Sequence, residues 1–433
     1  MLNKRILLTL SIVILLIVLS SMVVFAAQKE ISLWTAYGTN IPTYKKLAEE
    51  YMAEHPGVKI NVEAFPARAM EQKLAVTLPA GTASDIIEEH PFGMAPYVNA
   101  GLISKPPTWS KDFVEESVYD LMKPGVGING EIWGVPSFVG LKYLYCNKDM
   151  LDEAGLVGAP QTIDQLVEYA KKLTKYDDKG NITRSGISLR LSGGGYGVAE
   201  KWWMLALAPY GGSPLIETVP GKYSGAFDTE ECQKAIQLYL DFLYKYKVDS
   251  FNVDHDVEAF TREEAAMFQR EGFVIDHLAS HAPDLNYTVS PLPGDVYRGT
   301  MCVNINFWVT ECSRQKELAW DFIEFLVRKE NVRMKFKDTG WNTVRKDVDY
   351  APVYAQHPMY RRLQYFPENY GAYFYYTIRP WNEIWTKAGE LLADLFTREN
   401  LANNPEKLAE ECKKFNDSVN EILKEFDLYA PVQ

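Results

Sequence analysis

Residues 129–150 read NGEIWGVPSFVGLKYLYCNKDM. Asn129-Gly130 is a tight-turn signal of the hairpin kind. A short apolar strand then runs into Pro136, and a second apolar run extends from Phe138 to Cys146. The pattern predicts two strands placed end to end, with a proline and a glycine between them. One explanation is a crossing, in which the chain leaves one domain and enters another.

The upstream sequence supplies a first domain. Residues 30–34 read as a strand, followed by the loop TAYGTN. Pro42 stands where a helix can start, and Tyr44, Leu47, Ala48, Tyr51 and Met52 then form one apolar helical face. His55-Pro56-Gly57 ends it. VKINVEAF (58–65) alternates as a strand, residues 70–78 are helical again, and Asp85-Ile86-Ile87 begins a further short strand. Strand–helix–strand–helix–strand favours a parallel sheet with covering helices.

Downstream the pattern resumes. Thr162 and Gln165 form a capping box before Ile163, Leu166, Val167, Ala170 and Leu173. A glycine-rich loop at 193–197 leads to Trp202-Trp203. Asp228 is expected to cap a long helix, and Ser313 to start another that carries Leu318, Phe322, Phe325 and Leu326. Residues 286–292 and 301–309 read as strands. The last helix has Asn404 as cap and Pro405 at its first position.

The chain has 433 residues, which suffices for two domains or one large barrel. Its net charge of −12 argues against nucleic acid as a partner, because phosphate binding needs a basic patch. Aromatic residues make up 13%, including 26 Tyr and 10 Trp, which suits both core packing and stacking against sugars. Lys4 and Arg5, the apolar residues 6–19 and Val24-Phe25-Ala26 have the layout of a secretory signal, 1–26, cleaved after Ala26. A retained anchor is the alternative, since the uncharged run continues to Ala27. Cleavage removes Lys4 and Arg5 and takes the charge from −12 to −12 − 2 = −14. No Cys follows the apolar run, so a lipid-modified N-terminus is not expected. Cys146, Cys232, Cys302, Cys312 and Cys412 are scattered and read as free thiols, with Cys302–Cys312 the one pairing left open.

The order of elements resembles the maltose-binding type of ABC-importer solute-binding protein, extracellular family 1. The likeness rests on LWTAYG with KKLAEEYMAEHPGVKINVEAFP, AGTASDII, YVNAGLI, the stretch 129–156, EEAAM, YTVSPLPG, KELAWDFIEFL and TGWNTVRKDV, in that order. It covers nearly the whole chain after the apolar leader. The resemblance implies an α/β, two-lobed periplasmic-binding-protein fold of type II. Each lobe is a sheet covered by helices, and the ligand cleft lies between the lobes. It implies lobe 1 from 27–135 plus 296–342 and lobe 2 from 136–295 plus 343–433. Residues 134–140 are then the first crossing, 291–298 the second and 341–345 the third. It further implies an exported, non-enzymatic monomer in the periplasm or cell envelope. Such a protein closes on a carbohydrate and delivers it to the transmembrane subunits of an ABC permease, without a cofactor.

Ligands of open α/β sheets sit beyond the C-terminal ends of the strands. That places the loops 34–40, 65–68, 88–92, 138–140 and 306–308 at the site, Phe138 included. Sugar recognition needs flat aromatic faces and polar arms for the hydroxyls. Trp34, Tyr37, Trp203, Phe273, Trp308 and Trp381 are the stacking candidates. Arg68, Glu89, His90, Asn306 and Arg379 are the hydroxyl partners. The family pattern carries over most directly at Trp34, Glu89–His90, Trp203, Phe273 and Trp381. Each has a plainer reading: a lone Trp is more often core, Arg379 could form a structural ion pair, and Glu89 could cap a helix. Trp202 and Trp203 are adjacent, so both cannot face the cleft.

Other chemistry finds little support. GVGING (125–130) matches GxGxxG but leads into a strand, so no helix N-terminus would receive a pyrophosphate. No Walker A motif, GxSxG elbow or HExxH occurs. His277 and His281 are four apart, yet no third ligand is placed with them. A secreted carbohydrate-active enzyme is the main rival, since it would need only two suitably spaced carboxylates. A non-sugar ligand on the same fold is the second rival.

Overall fold

The computed structural model describes residues 28–192 and 194–432. The candidate leader, 1–26, lies outside them. No helix among the described residues is long and apolar enough to cross a membrane.

The architecture is built on one eight-stranded sheet. Strand β1 (Lys29–Thr35) pairs in parallel with β2 (Val58–Ala64) and with β3 (Ile86–Glu89). The intervening helices Ile41–Glu54 and Ala67–Thr77 are the expected crossovers. Tyr44, Leu47, Ala48 and Tyr51 are buried on the face the sequence pattern singled out. The hairpin β5 (Lys175–Tyr176) with β6 (Ile182–Arg184) and the hairpin β7 (Leu215–Val219) with β8 (Lys222–Gly225) stand apart from the main sheet.

Strand β4 (Val135–Asn147) corrects the opening expectation. It is one 13-residue strand, every residue of which is buried. Its first part runs antiparallel to β11 (Gly299–Val309), up to the Leu141–Cys302 pair. From Lys142 onward it pairs instead with β9 (Met267–Glu271) and β10 (Tyr287–Ser290). Pro136 is accommodated because the β4–β11 register slips where Asn306 faces it. A bulge leaves a backbone position unpaired, and proline has no N–H to lose there. Strand β11 changes partner as well. Its residues 299–301 pair with β12 (Gly371–Tyr373), its middle with β4, and its last four residues with β3.

Alternation along β4 divides the apolar core. Val139, Leu141, Tyr143 and Tyr145 join a cluster with Phe268, Phe322 and Phe336. Leu144 and Cys146 face a second cluster with Trp203, Trp381 and the C-terminal helices. A smaller third cluster gathers Met70, Met94 and Trp308 beside β3.

Local signals mostly hold. Asn129 and Gly130 both have positive φ, at 52° and 77°, and Ile128 and Glu131 exchange both backbone bonds across that turn. The side chains of Thr162 and Asn404 accept from the backbone N–H three residues on. Asp228 does not cap its helix. Thr229 does, accepting from the Cys232 N–H at 3.3 Å. The helix after Ser313 starts only at Lys316, because Ser313 turns its hydroxyl onto Asp85. Residues 194–202 are helical rather than a loop. All five cysteines are free thiols.

Candidate functional site

Three neighbouring openings make up a groove whose central part lies over the middle of β11; two of them share Pro124, Gly127 and Thr377, and the third adjoins at His90–Pro91. At one end, Arg68, Glu71 and His90 face Gly194, Thr386 and Glu390 across about 1280 Å³ of open space. In the centre, Phe92, Gly125 and Asn304 face Phe374 and Tyr375 around about 410 Å³. At the far end, Asn129 and Glu131 face Glu217, Tyr223 and Ile378 across about 1170 Å³. One wall therefore hangs from β1–β3. The other is carried by helix Gly194–Trp202, the β7–β8 hairpin and the segment after β12.

Three of the expected residues meet at an aromatic corner. Tyr37 lies edge-on to Phe138 with ring centroids 4.9 Å apart. Trp341 lies against both, 5.8 Å from Tyr37 and 5.0 Å from Phe138. Phe273 closes the group at 5.0 Å from Trp341, with the Arg270 guanidinium over its far side. The Trp341 indole N–H donates to Thr39 Oγ1 at 3.2 Å. Trp341 was not among the expected residues. The available signal was Gly340, which ends helix Lys329–Thr339 at φ 66° and puts the next residue at a loop mouth.

Glu89 and His90 form a second constellation, and His90 is the N-cap of helix Pro91–Asn99. Its Nδ1 accepts from the Gly93 N–H at 3.1 Å, so Nε2 carries the proton and donates to Glu89 Oε1 at 3.1 Å. Burial pushes the Glu89 carboxyl up to about 7, aided by the neighbouring Glu88 charge. Burial also pulls His90 down to about 4. A neutral imidazole suits this cap, because protonation would remove its acceptor. Arg68 is exposed at the same end of the groove.

Of the remaining expected residues, Trp203, Trp381, Trp308 and Asn306 are buried. Trp203 and Trp381 do come together, with centroids 6.1 Å apart, but as part of a buried indole stack with Trp385. Each is only 1% exposed. Trp202 is buried too and lies toward Phe227. Trp308 is fully buried beside β3 and donates its indole N–H to the Glu89 carbonyl at 2.8 Å. Asn306 is likewise buried and donates to the Val126 carbonyl. Trp34 packs edge-on to Phe65 with the Lys73 ammonium over its ring. Arg379 is exposed and lies over Phe426. Pattern alone could not separate these from groove residues, because both faces of the sheet are covered.

A buried charge cluster backs the groove where β4 changes partner. The Lys142 ammonium lies 2.8 Å from Glu200 and also bonds Glu271. Burial alone would pull Lys142 down, yet the two carboxylates hold it above its usual value. The Tyr375 hydroxyl donates to Glu200 at 2.8 Å. Under the aromatic corner, Glu88 accepts from Thr35, Tyr44 and Ser137. Lys335 donates to Ser137 and lies within 5.6 Å of the Tyr44, Phe138 and Phe307 rings. These groups were not singled out from sequence, since no spacing rule links residues so distant in the chain.

The family model for bacterial extracellular solute-binding protein matches residues 36–333. The chain belongs to that family. Among curated relatives, the arabinooligosaccharide-binding protein of Halalkalibacterium halodurans is 22% identical over 361 residues, 78% of this chain and 76% of that protein. Among solved structures, the GacH receptor of Streptomyces glaucescens GLA.O, studied unliganded and with acarbose, superposes with a TM-score of 0.74 at 18% identity, covering 93% of this chain and all of that one. Maltose-bound T. maritima MalE3 superposes with a TM-score of 0.72 at 21% identity, covering 90% and 99%. These neighbours fix the fold of this solute-binding protein as the two-lobed type II arrangement. The relatives and neighbours are binding proteins rather than enzymes.

Proposed function

We propose that this solute-binding protein is the capture component of an ABC importer, taking a di- or oligosaccharide into the groove and presenting the closed form to a permease. The observation that carries the reading is the aromatic corner of Tyr37, Phe138, Trp341 and Phe273. Its half-buried members Tyr37, Trp341 and Phe273 are assigned to the wall of the ligand cleft, and Arg68, Glu71 and Glu390 offer polar arms in the opening beside His90. The relatives' named ligands, arabinooligosaccharide and maltotriose, point to the same class. The three neighbouring openings favour several sugar rings over one. The lobes are assigned as 27–135 plus 296–342 and 136–295 plus 343–433. The change of strand partners at Leu141–Lys142 and Met301–Cys302 supports crossings close to those limits. The leader 1–26 is read as an export signal and the protein as a monomer of the periplasm or cell envelope.

A thermal-shift screen against mono- and oligosaccharides tests this. A true ligand at a hundred times its Kd adds about 2.7 kcal/mol of stability. A screen in which only a non-sugar solute stabilises the protein, or in which a glycoside is turned over, rejects the reading.

A further inference from the structure

A separate opening lies outside the groove and shares no lining residue with it. Tyr354, Pro358, Arg361, Arg362, Gln364 and Tyr365 surround about 1140 Å³ there. Four of the six belong to the short helix Pro358–Gln364, whose inner face is pinned. Tyr360 and Leu363 are fully buried, and the Leu363 carbonyl accepts from the Tyr143 hydroxyl at 2.6 Å and from the Asn342 amide at 2.8 Å. With those two side chains turned inward, Arg361 and Arg362 are left exposed on the outer face.

The lining consists of donors. Among the described residues neither guanidinium is held in an ion pair, and no carboxylate lines the opening, whereas Glu71 and Glu390 line one end of the groove. Burial pushes the Tyr354 phenol up, so its hydroxyl stays protonated, and Arg361 lies near enough to oppose that rise. Both polar atoms of the Gln364 amide are buried and find no protein partner among the described residues. A buried amide left in that condition is costly.

The surroundings carry the same sign. Residues 328–362 hold nine Lys and Arg against four Asp and Glu, in a chain whose net charge is −12. Helix Ala351–Gln356 turns Tyr354 to this opening and Val353 to the next one, where Lys46, Arg333 and Lys337 stand beside Glu330 and Asp338. A locally positive face on an acidic protein concentrates anions there. A terminal phosphate matches the donor set better than a carboxylate does. It offers three acceptor oxygens and about −1.5 to −2 charges near pH 7, against two guanidinium charges, a phenol and an amide. A carboxylate offers two oxygens and a single charge.

We propose that Arg361, Arg362, Tyr354 and Gln364 form a binding site for a terminal phosphate group, either the free anion or a phosphomonoester lipid headgroup. The site is separate from the groove and does not depend on what the groove binds.

Two probes test it at fixed ionic strength. Equilibrium dialysis is run with radiolabelled inorganic phosphate, and co-sedimentation with phosphatidylcholine vesicles that contain or lack phosphatidic acid. Saturation at one phosphate per chain identifies the free anion, and binding confined to the phosphatidic acid vesicles identifies the headgroup. In either arm the double variant Arg361→Gln with Arg362→Gln is expected to bind at least about tenfold more weakly. Tyr354→Phe, which removes only the hydroxyl, is expected to weaken binding measurably. Both variants leave Tyr360 and Leu363 in place, and cooperative urea unfolding checks that the fold is kept. No saturable binding to either probe, or a double variant that binds like the wild type, overturns the site. Failure here leaves the sugar screen untouched, and a failed sugar screen leaves this site standing.

Discussion

The Trp341 and Phe273 rings lie with centroids 5.0 Å apart, one on the segment after helix Lys329–Thr339 and the other at the end of β9. Gly272 makes that approach possible, because a Cβ there would sit 3.0 Å from the Gly340 carbonyl. Trp341 also touches Tyr37 and Phe138, so it is the shared member of the aromatic corner. Trp341→Ala is expected to weaken sugar binding by at least about tenfold, or about 1.4 kcal/mol. Trp341 is half-buried, so folding should survive. Calorimetric titration with the sugar found in the stability screen checks this. Unchanged affinity would remove the corner from the site.

Trp381 and Arg379 separate packing from recognition. The Trp381 indole is buried among Trp203, Trp385 and Tyr376. Trp381→Ala leaves a large cavity and is expected to cost about 3–5 kcal/mol of stability. Arg379 lies on the surface over Phe426. Arg379→Ala is expected to change stability by less than about 0.5 kcal/mol and to leave ligand affinity unaltered. Urea unfolding and ligand titration of both variants test the pair, and a large loss of affinity in Arg379→Ala would restore it to the site.

The contrast shows where sequence runs out. The order β1–β2–β3 was legible because one apolar face recurs at helical spacing and the strands alternate. The Asn129-Gly130 turn and the Thr162 and Asn404 caps were legible because each is decided within four residues. The continuity of β4 was not. It depends on a register slip at Asn306 in a strand about 170 positions away. Trp308 read as a groove residue because it ends a strand. Its burial is set by helices on the other face of the sheet, and nothing local reports which face is covered. Arg379 read as a sugar arm, and its actual partner, Phe426, lies in the C-terminal segment. Trp341 was missed for the same reason, since its ring neighbours Tyr37, Phe138 and Phe273 come from distant parts of the chain.

Glu88 and Lys335 support the aromatic corner from beneath. Lys335 is 4% exposed, and burial pulls its ammonium down to about 8 despite the Glu88 charge. Glu88→Gln removes the carboxylate whose charge acts on it and is expected to cost about 1–3 kcal/mol near pH 7. The sign of the pH dependence follows. A base whose folded pKa is depressed binds its proton less well when folded, so stability rises with pH between about 8 and its ordinary value of 10.5. Lys335→Met should abolish that rise relative to wild type. Urea midpoints from pH 7 to 9.5 measure it, and parallel curves for Lys335→Met and wild type would show that Lys335 stays charged throughout.

Glu89 and His90 should titrate against each other. The folded Glu89 carboxyl is raised to about 7 from 4.5, so its contribution to stability is present at low pH and is lost as pH rises between those values. The folded His90 imidazole is lowered to about 4 from 6.5, so its contribution is present above 6.5 and is lost as pH falls toward 4. Between pH 4.5 and 6.5 the two slopes oppose, and the wild-type pair contributes little net dependence. Glu89→Gln leaves the histidine alone. Its stability relative to wild type should rise with pH across that window, by up to about 1.4 kcal/mol per unit. His90→Asn retains a capping oxygen for the Gly93 N–H and leaves the carboxyl alone, so its relative stability should fall with pH over the same range. Unfolding free energies of the three proteins, compared at 0.5-unit steps on the order of the slope's resolution, test the opposition. Two variants that both track the wild type would show that neither group changes its proton affinity on folding, and the neutral cap assigned to His90 would then be wrong.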